Sequence, residues 1–274
     1  CEFCASGRPH LCVLGRVQGT TGGLPDGTTR LSGDGGETVH HLMGVSCFAT
    51  ECVVSARSVV RIDPDVPSHQ AAIVGCAVVT GVGAVVNVIR RAAGEPVLVI
   101  GAGGVGLSAV MGLRMIGAGP VIVADTVPAR LERARELGAD VTIDVRQESI
   151  ADVLRTVAPA GVPWAIDAVG ASATLEQAFS SLNVAGTVLA IGLSSADATF
   201  RVPVNALVQQ ERRVVGSLYG SSNPVELVPR LLELSRSGRL PLDRLIGDQY
   251  PLERVNDAFA AMRDGAVGRL ILTP

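Results

Sequence analysis

The chain has 274 residues, of which 47% are hydrophobic, 18% charged and 3% aromatic. This length allows two domains or one large α/β unit, and the apolar fraction excludes a disordered chain. A net charge of −3 without a basic cluster argues against nucleic acid as the main partner. No uninterrupted apolar run approaches the roughly 20 residues that cross a bilayer, so we expect no membrane span. Because the chain begins at Cys1, inside a cysteine cluster, we expect it to be part of a longer protein.

The first quarter of the chain has little regular periodicity. Residues 1–36 contain three cysteines, many glycines and the turn-forming sequence Pro25-Asp26-Gly27, which together predict a loop. Two short β-branched runs follow and predict strands, at residues 52–54 and 58–62. Prolines end these runs, and Ser68 is placed to cap a helix that begins near His69.

From Glu95 onward, predicted strands and helices alternate. Short apolar runs are typical of strands covered on both faces, and amphipathic stretches separate them. The predicted strands are residues 97–100, 121–124, 141–143, 164–166, 188–191 and 214–215. The predicted helices are residues 105–116, 128–137, 148–157 and 173–183. This alternation predicts an α/β fold with a doubly wound parallel sheet of the Rossmann type.

The end of the chain extends beyond this alternation. Residues 221–274 predict helices around 224–237 and 251–263 and a last strand at 268–272. We expect this tail to pack on the first segment as part of a second domain. Residues 199–204 alternate apolar and polar side chains around Pro203, which predicts an edge strand through which subunits pair.

A glycine-rich turn, residues 101–106, follows the first strand of the alternating region. In its G-x-G-x-x-G pattern, the first glycine allows a tight turn and the second lets the backbone approach a pyrophosphate. The third glycine lets the following helix pack closely on the strand. Asp125 closes the next strand, where a carboxylate binds both hydroxyls of an adenosine ribose and repels a 2′-phosphate. Such a fold serves NAD, FAD or S-adenosylmethionine, so the turn alone identifies no reaction.

Three cysteines near the start, Cys1, Cys4 and Cys12, have the spacing C-x2-C-x7-C. A two-residue separation of thiolates is usual in structural zinc sites, which close with four ligands. We expect zinc here with a fourth ligand upstream, and a disulfide or unpaired thiols are the alternatives. Taken alone, Cys47, Cys52 and Cys76 are interpreted as small core residues.

The chain resembles the zinc-dependent medium-chain alcohol dehydrogenases, in the branch of liver alcohol dehydrogenase and glutathione-dependent formaldehyde dehydrogenase. The matching segments run in family order along the chain. They are Gly7-Arg8-Pro9-His10-Leu11-Cys12, Pro25-Asp26-Gly27-Thr28-Thr29-Arg30, His40-His41-Leu42-Met43-Gly44, Gly75-Cys76, Thr80-Gly81-Val82-Gly83, residues 101–106 and Arg269-Leu270-Ile271-Leu272-Thr273. The resemblance implies a Rossmann domain at residues 78–218. It also implies that residues 1–77 and 219–274 are parts of a GroES-like, β-rich catalytic domain.

The resemblance implies two zinc sites. Cys1, Cys4 and Cys12 match three of the four structural ligands, and Cys76 matches one ligand of the catalytic zinc. This match reverses the interpretation of Cys76 as a core residue. The family's other catalytic ligands and its proton relay precede the position of Cys1. We therefore expect the printed chain alone to bind the nicotinamide end of NAD poorly and not to turn over alcohol.

The resemblance also implies an NAD site. Asp125 and Arg130 match contacts to the adenosine ribose, and Arg269 matches a basic residue on the pyrophosphate. The other implied cofactor positions are Gly101, Ala102, Gly103, Gly104, Val105 and Gly106 at the pyrophosphate, and Ile191, Gly192 and Leu193 beside the nicotinamide. Leu42 and Met43 match positions that line the substrate pocket.

The activity implied by the resemblance is hydride transfer between a small alcohol or aldehyde and NAD. Zinc acts as the Lewis acid that lowers the pKa of the alcohol. We expect a cytoplasmic homodimer or homotetramer. One alternative is a dehydrogenase of S-(hydroxymethyl) adducts of glutathione or mycothiol, because Arg16 follows Cys12 by four residues, where such enzymes bind the adduct's carboxylate. Two others are a zinc-free quinone reductase and a non-catalytic NAD-binding module.

Overall fold

A computed structural model describes residues 1–24 and 26–274, without the side chains of Val17 and Gln18. Pro25, in the predicted turn, lies outside the described residues. The first elements are the helix α1 (Glu2–Ala5), a 3-10 turn (Pro9–Leu11), the helix α2 (Val13–Thr21) and the antiparallel strands β1 (Leu31–Ser32) and β2 (Thr38–Val39). The loop predicted over residues 1–36 is therefore wrong. The glycines of this segment hid the helical pattern of α2 in the sequence. α2 packs on a second 3-10 turn (Leu42–Gly44).

The two strands predicted within residues 45–62 are also wrong. The described backbone there contains one 3-10 turn, Ala56–Ser58, and no strand. β-branched residues favour extended backbone, but a strand also needs a neighbour that completes its hydrogen-bond ladder. No described residue pairs with this segment in that way.

One long helix, Ser68–Ile89, precedes the sheet. It consists of α3 (Ser68–Ile73), a π-helical segment (Val74–Val78), α4 (Val79–Ala84) and a second π-helical segment (Val85–Ile89). Ser68 is the first helical residue and Pro67 takes the N-cap position, so the predicted cap is wrong. By length and composition the helix is sufficient to span a membrane, although its sequence contains no uninterrupted apolar run of that length. Most of it is buried inside the protein, as expected of a core helix.

The six-stranded parallel sheet predicted from the alternating pattern is confirmed. Its strands are β3 (Val97–Ile100), β4 (Val121–Asp125), β5 (Val141–Asp144), β6 (Val162–Asp167), β7 (Leu182–Ala190) and β8 (Arg213–Gly216). They lie in the order β5-β4-β3-β6-β7-β8. The order reverses between β3 and β6, and in such sheets ligands bind at the carboxyl ends of the strands beside that point.

Helices cover both faces of the sheet, as the Rossmann fold requires. They are α5 (Gly104–Met115), α6 (Pro128–Glu136), α7 (Ile150–Val157), α8 (Ser172–Ser180) and α9 (Val204–Gln209). Alternate residues of each strand point to opposite faces. Val97 and Val99 therefore pack in one core with Ser68–Ile89 and α5, whereas Leu98 and Ile100 pack in a second core with α7 and α8.

The tail adds two helices and a small parallel sheet. These elements are α10 (Pro224–Arg236), β9 (Ile246–Pro251), α11 (Val255–Arg263) and β10 (Arg269–Thr273), with β9 paired to β10. Both predicted helices and the last strand are present, whereas β9 was not predicted. The edge strand predicted at residues 199–204 is wrong, because Pro203 is the N-cap of α9. The strand at that edge of the sheet is β8.

Candidate functional site

The glycine-rich turn lies at the carboxyl end of β3 and leads directly into α5. A Cβ on Gly106 would lie 1.8 Å from the carbonyl oxygen of Gly101, so only glycine fits where the helix crosses the strand end. Gly103 is the N-cap of α5, whose first N–H groups and helix dipole suit an anion such as pyrophosphate. Arg269 lies against the same turn, since a Cβ on Gly104 would be 2.3 Å from its Cδ. The arrangement gathers backbone donors and a guanidinium in one place.

Asp125 is held beside this turn by two backbone hydrogen bonds. The N–H of Ala102 donates to Oδ2 at 2.6 Å, and the N–H of Val127 donates to Oδ1 at 2.8 Å. Each carboxylate oxygen keeps a second lone pair, so acceptor capacity remains for two ribose hydroxyls. The structure does not bring Arg130 to this carboxylate; its Nη2 lies 3.5 Å from the carbonyl oxygen of Ala266 in the tail.

Residues 191–193 form a strip directly after β7. Ile191 is buried, and the side chain of Leu193 is 83% exposed at the carboxyl edge of the sheet. The N–H groups of Ile191 and Gly192 both donate to the carbonyl oxygen of Asp167, at 2.9 and 3.0 Å. Sequence reasoning missed Asp167. The available signal was an acidic residue that ends a strand beside the reversal of strand order, three residues before Gly170.

Cys76 lies in the π-helical segment Val74–Val78, and its thiol is exposed. π-helical turns widen a helix locally and are frequent at functional sites. The hydroxyl of Tyr219 donates to the carbonyl oxygen of Gly75, the residue before Cys76. Burial raises the pKa of Tyr219, and the negative charge of a Cys76 thiolate would raise it further. Tyr219 was not singled out from the sequence, because its contact joins residues far apart in the chain.

Cys76 by itself does not complete a metal site. A catalytic zinc takes three protein ligands and leaves one position open. Within residues 1–24 and 26–274, no pair of further histidine, cysteine or carboxylate ligands gathers around Cys76. The thiol fits the role of one ligand, and the residues present do not supply the others.

Cys1, Cys4 and Cys12 do form a cluster with the dimensions of a zinc site. Their three sulfur atoms lie within 4.8 Å of one another, and the Cys1 and Cys4 sulfurs are 3.7 Å apart. A tetrahedral zinc with Zn–S bonds of about 2.3 Å separates its sulfur ligands by about 3.8 Å, so the three thiolates fit one ion. The backbone N–H of Gly15 lowers the pKa of the Cys12 thiol, whereas the hydrogen bond with Cys12 raises the pKa of Cys4.

The remaining cysteines and the residues predicted to line the substrate pocket lie on the surface. Cys47 and Cys52 are exposed, so their interpretation as core residues is wrong. Leu42 and Met43 are also exposed. The Met43 sulfur lies 3.8 Å from the Cβ position of Gly19 on α2, the helix that carries Arg16. The structure therefore groups these pocket positions with Arg16's helix.

Comparison with known proteins agrees with this geometry. A family model described as zinc-binding dehydrogenase matches residues 104–235. The S-(hydroxymethyl)glutathione dehydrogenase of Haemophilus influenzae is 33% identical over 99% of this chain and 72% of its own length. The NDMA-dependent alcohol dehydrogenase of Amycolatopsis methanolica is 34% identical over 97% of this chain and 72% of its own length.

Solved structures of alcohol dehydrogenases also match this chain. An alcohol dehydrogenase zinc-binding domain protein from Burkholderia ambifaria superposes with a TM-score of 0.92 at 33% identity, over 99% of this chain and 74% of that one. Benzyl alcohol dehydrogenase from Acinetobacter calcoaceticus superposes with a TM-score of 0.88 at 27% identity, over the same shares of the two chains. The chain therefore belongs to the zinc-dependent medium-chain alcohol dehydrogenase family of NAD-linked oxidoreductases.

Proposed function

We propose that the chain supplies the NAD site, one ligand of the catalytic zinc and the structural-zinc lobe of an enzyme that oxidises a small alcohol. The observation that carries this proposal is the grouping of the 101–106 turn, the backbone-tethered Asp125 and Arg269 at the carboxyl edge of the sheet. Domains at residues 1–77, 78–218 and 219–274 remain part of the proposal. The first boundary falls within the helix Ser68–Ile89.

Each part of the site has a distinct task in this proposal. The N-terminus of α5 and Arg269 bind the pyrophosphate, and Asp125 accepts hydrogen bonds from the ribose. The strip at residues 191–193 presents backbone to the nicotinamide, and Cys76 holds the metal from the side of the nucleotide domain. When bound, zinc supplies a Lewis acid and NAD accepts the hydride. The chain's own contribution is placement, which lowers the entropy cost of bringing the reactants together.

A second candidate is an enzyme for S-(hydroxymethyl) adducts of a thiol such as glutathione or mycothiol. It is favoured by Arg16, which is exposed on α2, the helix that packs on the 3-10 turn Leu42–Gly44, and suits the carboxylate of an adduct. The Haemophilus relative carries that activity in its name. The alcohol proposal and this one differ only in the substrate.

Steady-state kinetics on the full-length protein separate the two candidates. Under the alcohol proposal, kcat/KM for simple alcohols exceeds that for either adduct, and Arg16→Ala leaves it unchanged. Under the second candidate, the adducts are preferred, and Arg16→Ala raises their KM by about tenfold, as the loss of a charge-assisted contact does. Arg155→Ala, an exposed change on α7, is the matched control.

We further infer a cytoplasmic homodimer or homotetramer. The six cysteines form no disulfide with one another, which is usual in a reducing compartment. β8 lies at an open edge of the sheet and all four of its residues are exposed. Val204 and Val208 on α9 add exposed apolar surface. An edge strand with apolar neighbours supports pairing with a second copy.

A further inference from the structure

Asp167 ends β6 beside the reversal of strand order, between the two segments assigned to the cofactor. In the register of the sheet it lies beside Ile100 of β3 and Ala190 of β7. Ile100 immediately precedes the pyrophosphate turn, and Ala190 immediately precedes the strip at residues 191–193. Asp167 is therefore aligned in the sheet with the strand ends that lead into these two segments.

The main chain at Asp167 is bonded to both neighbours. Its carbonyl oxygen accepts the N–H groups of Ile191 and Gly192, while the N–H of Ala168 donates to the carbonyl oxygen of Ile100 at 2.9 Å. The backbone of the strip is thus anchored to the end of β6.

The side chain of Asp167 holds the loop that follows. The carboxyl group is fully buried, and Oδ2 accepts the N–H of Gly170 at 2.9 Å. Gly170 has φ +86°, and a Cβ there would lie 2.6 Å from the carbonyl oxygen of Leu193. A Cβ on Gly192 would lie 2.2 Å from the nitrogen of Gly170. The loop held by the carboxyl group is therefore in direct backbone contact with the strip.

The second carboxyl oxygen of Asp167 differs from most buried polar atoms in its lack of a hydrogen bond. Oδ1 is buried and has no hydrogen-bond partner within the described part of the chain. Burial raises the pKa of Asp167, and this shift is opposed by the Thr174 hydroxyl and by nearby N–H groups. A buried polar atom without a partner is unfavourable, so the presence of a carboxyl group here needs a compensating role.

We propose that Asp167 is a positioning residue for the nicotinamide half of NAD. Its carboxyl group fixes residues 168–170, and these fix the backbone of residues 191–193 against which the nicotinamide lies. This inference rests on the proposed function of that strip. Removing the carboxyl group loosens the strip, whereas Asp125 still holds the adenosine half of the cofactor.

Two ligands separate the halves of the cofactor site: NADH, and ADP-ribose, which lacks the nicotinamide. Their Kd values are measured by calorimetry on the full-length protein. Asp167→Ala is expected to raise the Kd of NADH by about tenfold and to change that of ADP-ribose by less than about twofold. Asp167→Asn keeps an acceptor for the N–H of Gly170 and should bind NADH within about threefold of the wild type. Asp152→Ala, on the exposed face of α7, is the control.

A second variant tests the same contact from its other side. Gly170→Ala places a Cβ against Leu193 and should give the same selective loss of NADH binding. If Asp167→Ala does not fold, Gly170→Ala provides the test. Unchanged NADH binding in a folded variant would overturn the inference, as would an equal loss of both ligands. A wild-type protein that binds neither ligand would refute the proposed function and this inference together.

Discussion

At the scale of a single residue, we propose that Asp125 decides the choice between NAD and NADP. Its carboxylate is fixed by the N–H groups of Ala102 and Val127, so it cannot swing away from the ribose without losing both hydrogen bonds. Charge-assisted hydrogen bonds to two ribose hydroxyls contribute about 1.5–3 kcal/mol each. A 2′-phosphate would lose them and meet a like charge, and Arg130 is directed toward Ala266 instead of this site.

We therefore expect the wild type to prefer NAD over NADP by at least about 3 kcal/mol, or more than about a hundredfold in kcat/KM. Asp125→Ser should lower efficiency with NAD and raise it with NADP. Asp144→Ser is the matched control, because Asp144 ends the adjacent strand in register with Asp125 and pairs with Arg146. Equal use of both cofactors by the wild type would contradict the assignment of Asp125 to the ribose.

Asp26 gives a prediction for pH at the same scale. The hydroxyl and N–H of Thr28, together with the guanidinium of Arg30, lower the pKa of Asp26 to about 2. Because the pKa in the folded state lies below the unfolded value, these contacts stabilise the folded turn above the unfolded pKa and are lost as the pH falls through about 2. An NMR titration of the Asp26 carboxyl carbon should show this midpoint.

The matched variants test the cause of that shift. Thr28→Val removes the hydroxyl that donates to Asp26 at 2.6 Å and should raise the midpoint toward the ordinary value. Thr38→Val, in β2, should leave the midpoint in place. A wild-type midpoint near the ordinary aspartate value would show that the turn is not held in this way.

Residues that follow a local pattern were predictable, and residues whose role depends on distant contacts were not. The turn at residues 101–106 and Asp125 have fixed spacing around a strand and a helix. Asp167 and Tyr219 act through contacts with the 191–193 strip and with Gly75, which no local spacing encodes. Exposure of Cys47 was missed because an apolar sequence neighbourhood does not reveal whether a second layer covers it.

At the scale of elements, the cysteine lobe combines α1, the 3-10 turn Pro9–Leu11 and the start of α2. These pieces are short, and a helix of four residues has little stability by itself. A shared zinc would tie them together through Cys1, Cys4 and Cys12.

The lobe can be tested by metal analysis of the full-length protein. We expect about two zinc ions per subunit in the wild type and about one in Cys12→Ala, because a structural site needs its full tetrahedral ligand set. The melting temperature should fall with the loss of that ion. Cys52→Ala, outside the cluster, should keep both zincs and the wild-type melting temperature. Full zinc content in Cys12→Ala would exclude the proposed site.

The open edge at β8 gives a second prediction at this scale. Val208 on α9 is 71% exposed, and a glutamate there would place a charge in the proposed subunit contact. Val208→Glu should shift the mass measured by light scattering at micromolar concentration from dimer, or tetramer, toward monomer. Val225→Glu, at a 58% exposed position on α10, should not. A wild-type monomer under these conditions would rule out the proposed assembly.

Elements were predictable where the chain is covered on both sides. The central strands β3 and β4 are nearly continuous apolar runs because helices bury both faces, and this pattern is visible without a structure. Residues 45–62 and 199–204 have strand-like composition but no pairing partner among the described residues. The β propensity of these residues therefore predicted strands, although neither segment forms a hydrogen-bond ladder with a neighbour.

At the scale of the whole molecule, the residues proposed to bind the cofactor and the metal lie on elements that pack together. The helix Ser68–Ile89 carries Cys76 and packs in the same core as β3 and α5, which carry the pyrophosphate turn. Tyr219 connects that helix to the segment after β8, and Arg269 connects the tail to the turn. The proposed metal ligand and the proposed NAD site are therefore parts of a single packed unit.

The central claim is that this unit belongs to an NAD-linked alcohol oxidoreductase that depends on zinc held in part by Cys76. The most direct test is the rate of NADH formation by the full-length protein with a simple alcohol, before and after removal and return of zinc, in the wild type and in Cys76→Ser. The wild type should lose activity with the metal and regain it with zinc. Cys76→Ser should still bind ADP-ribose but should lose catalytic zinc and turnover. Undiminished, zinc-independent NADH formation in Cys76→Ser would contradict the account.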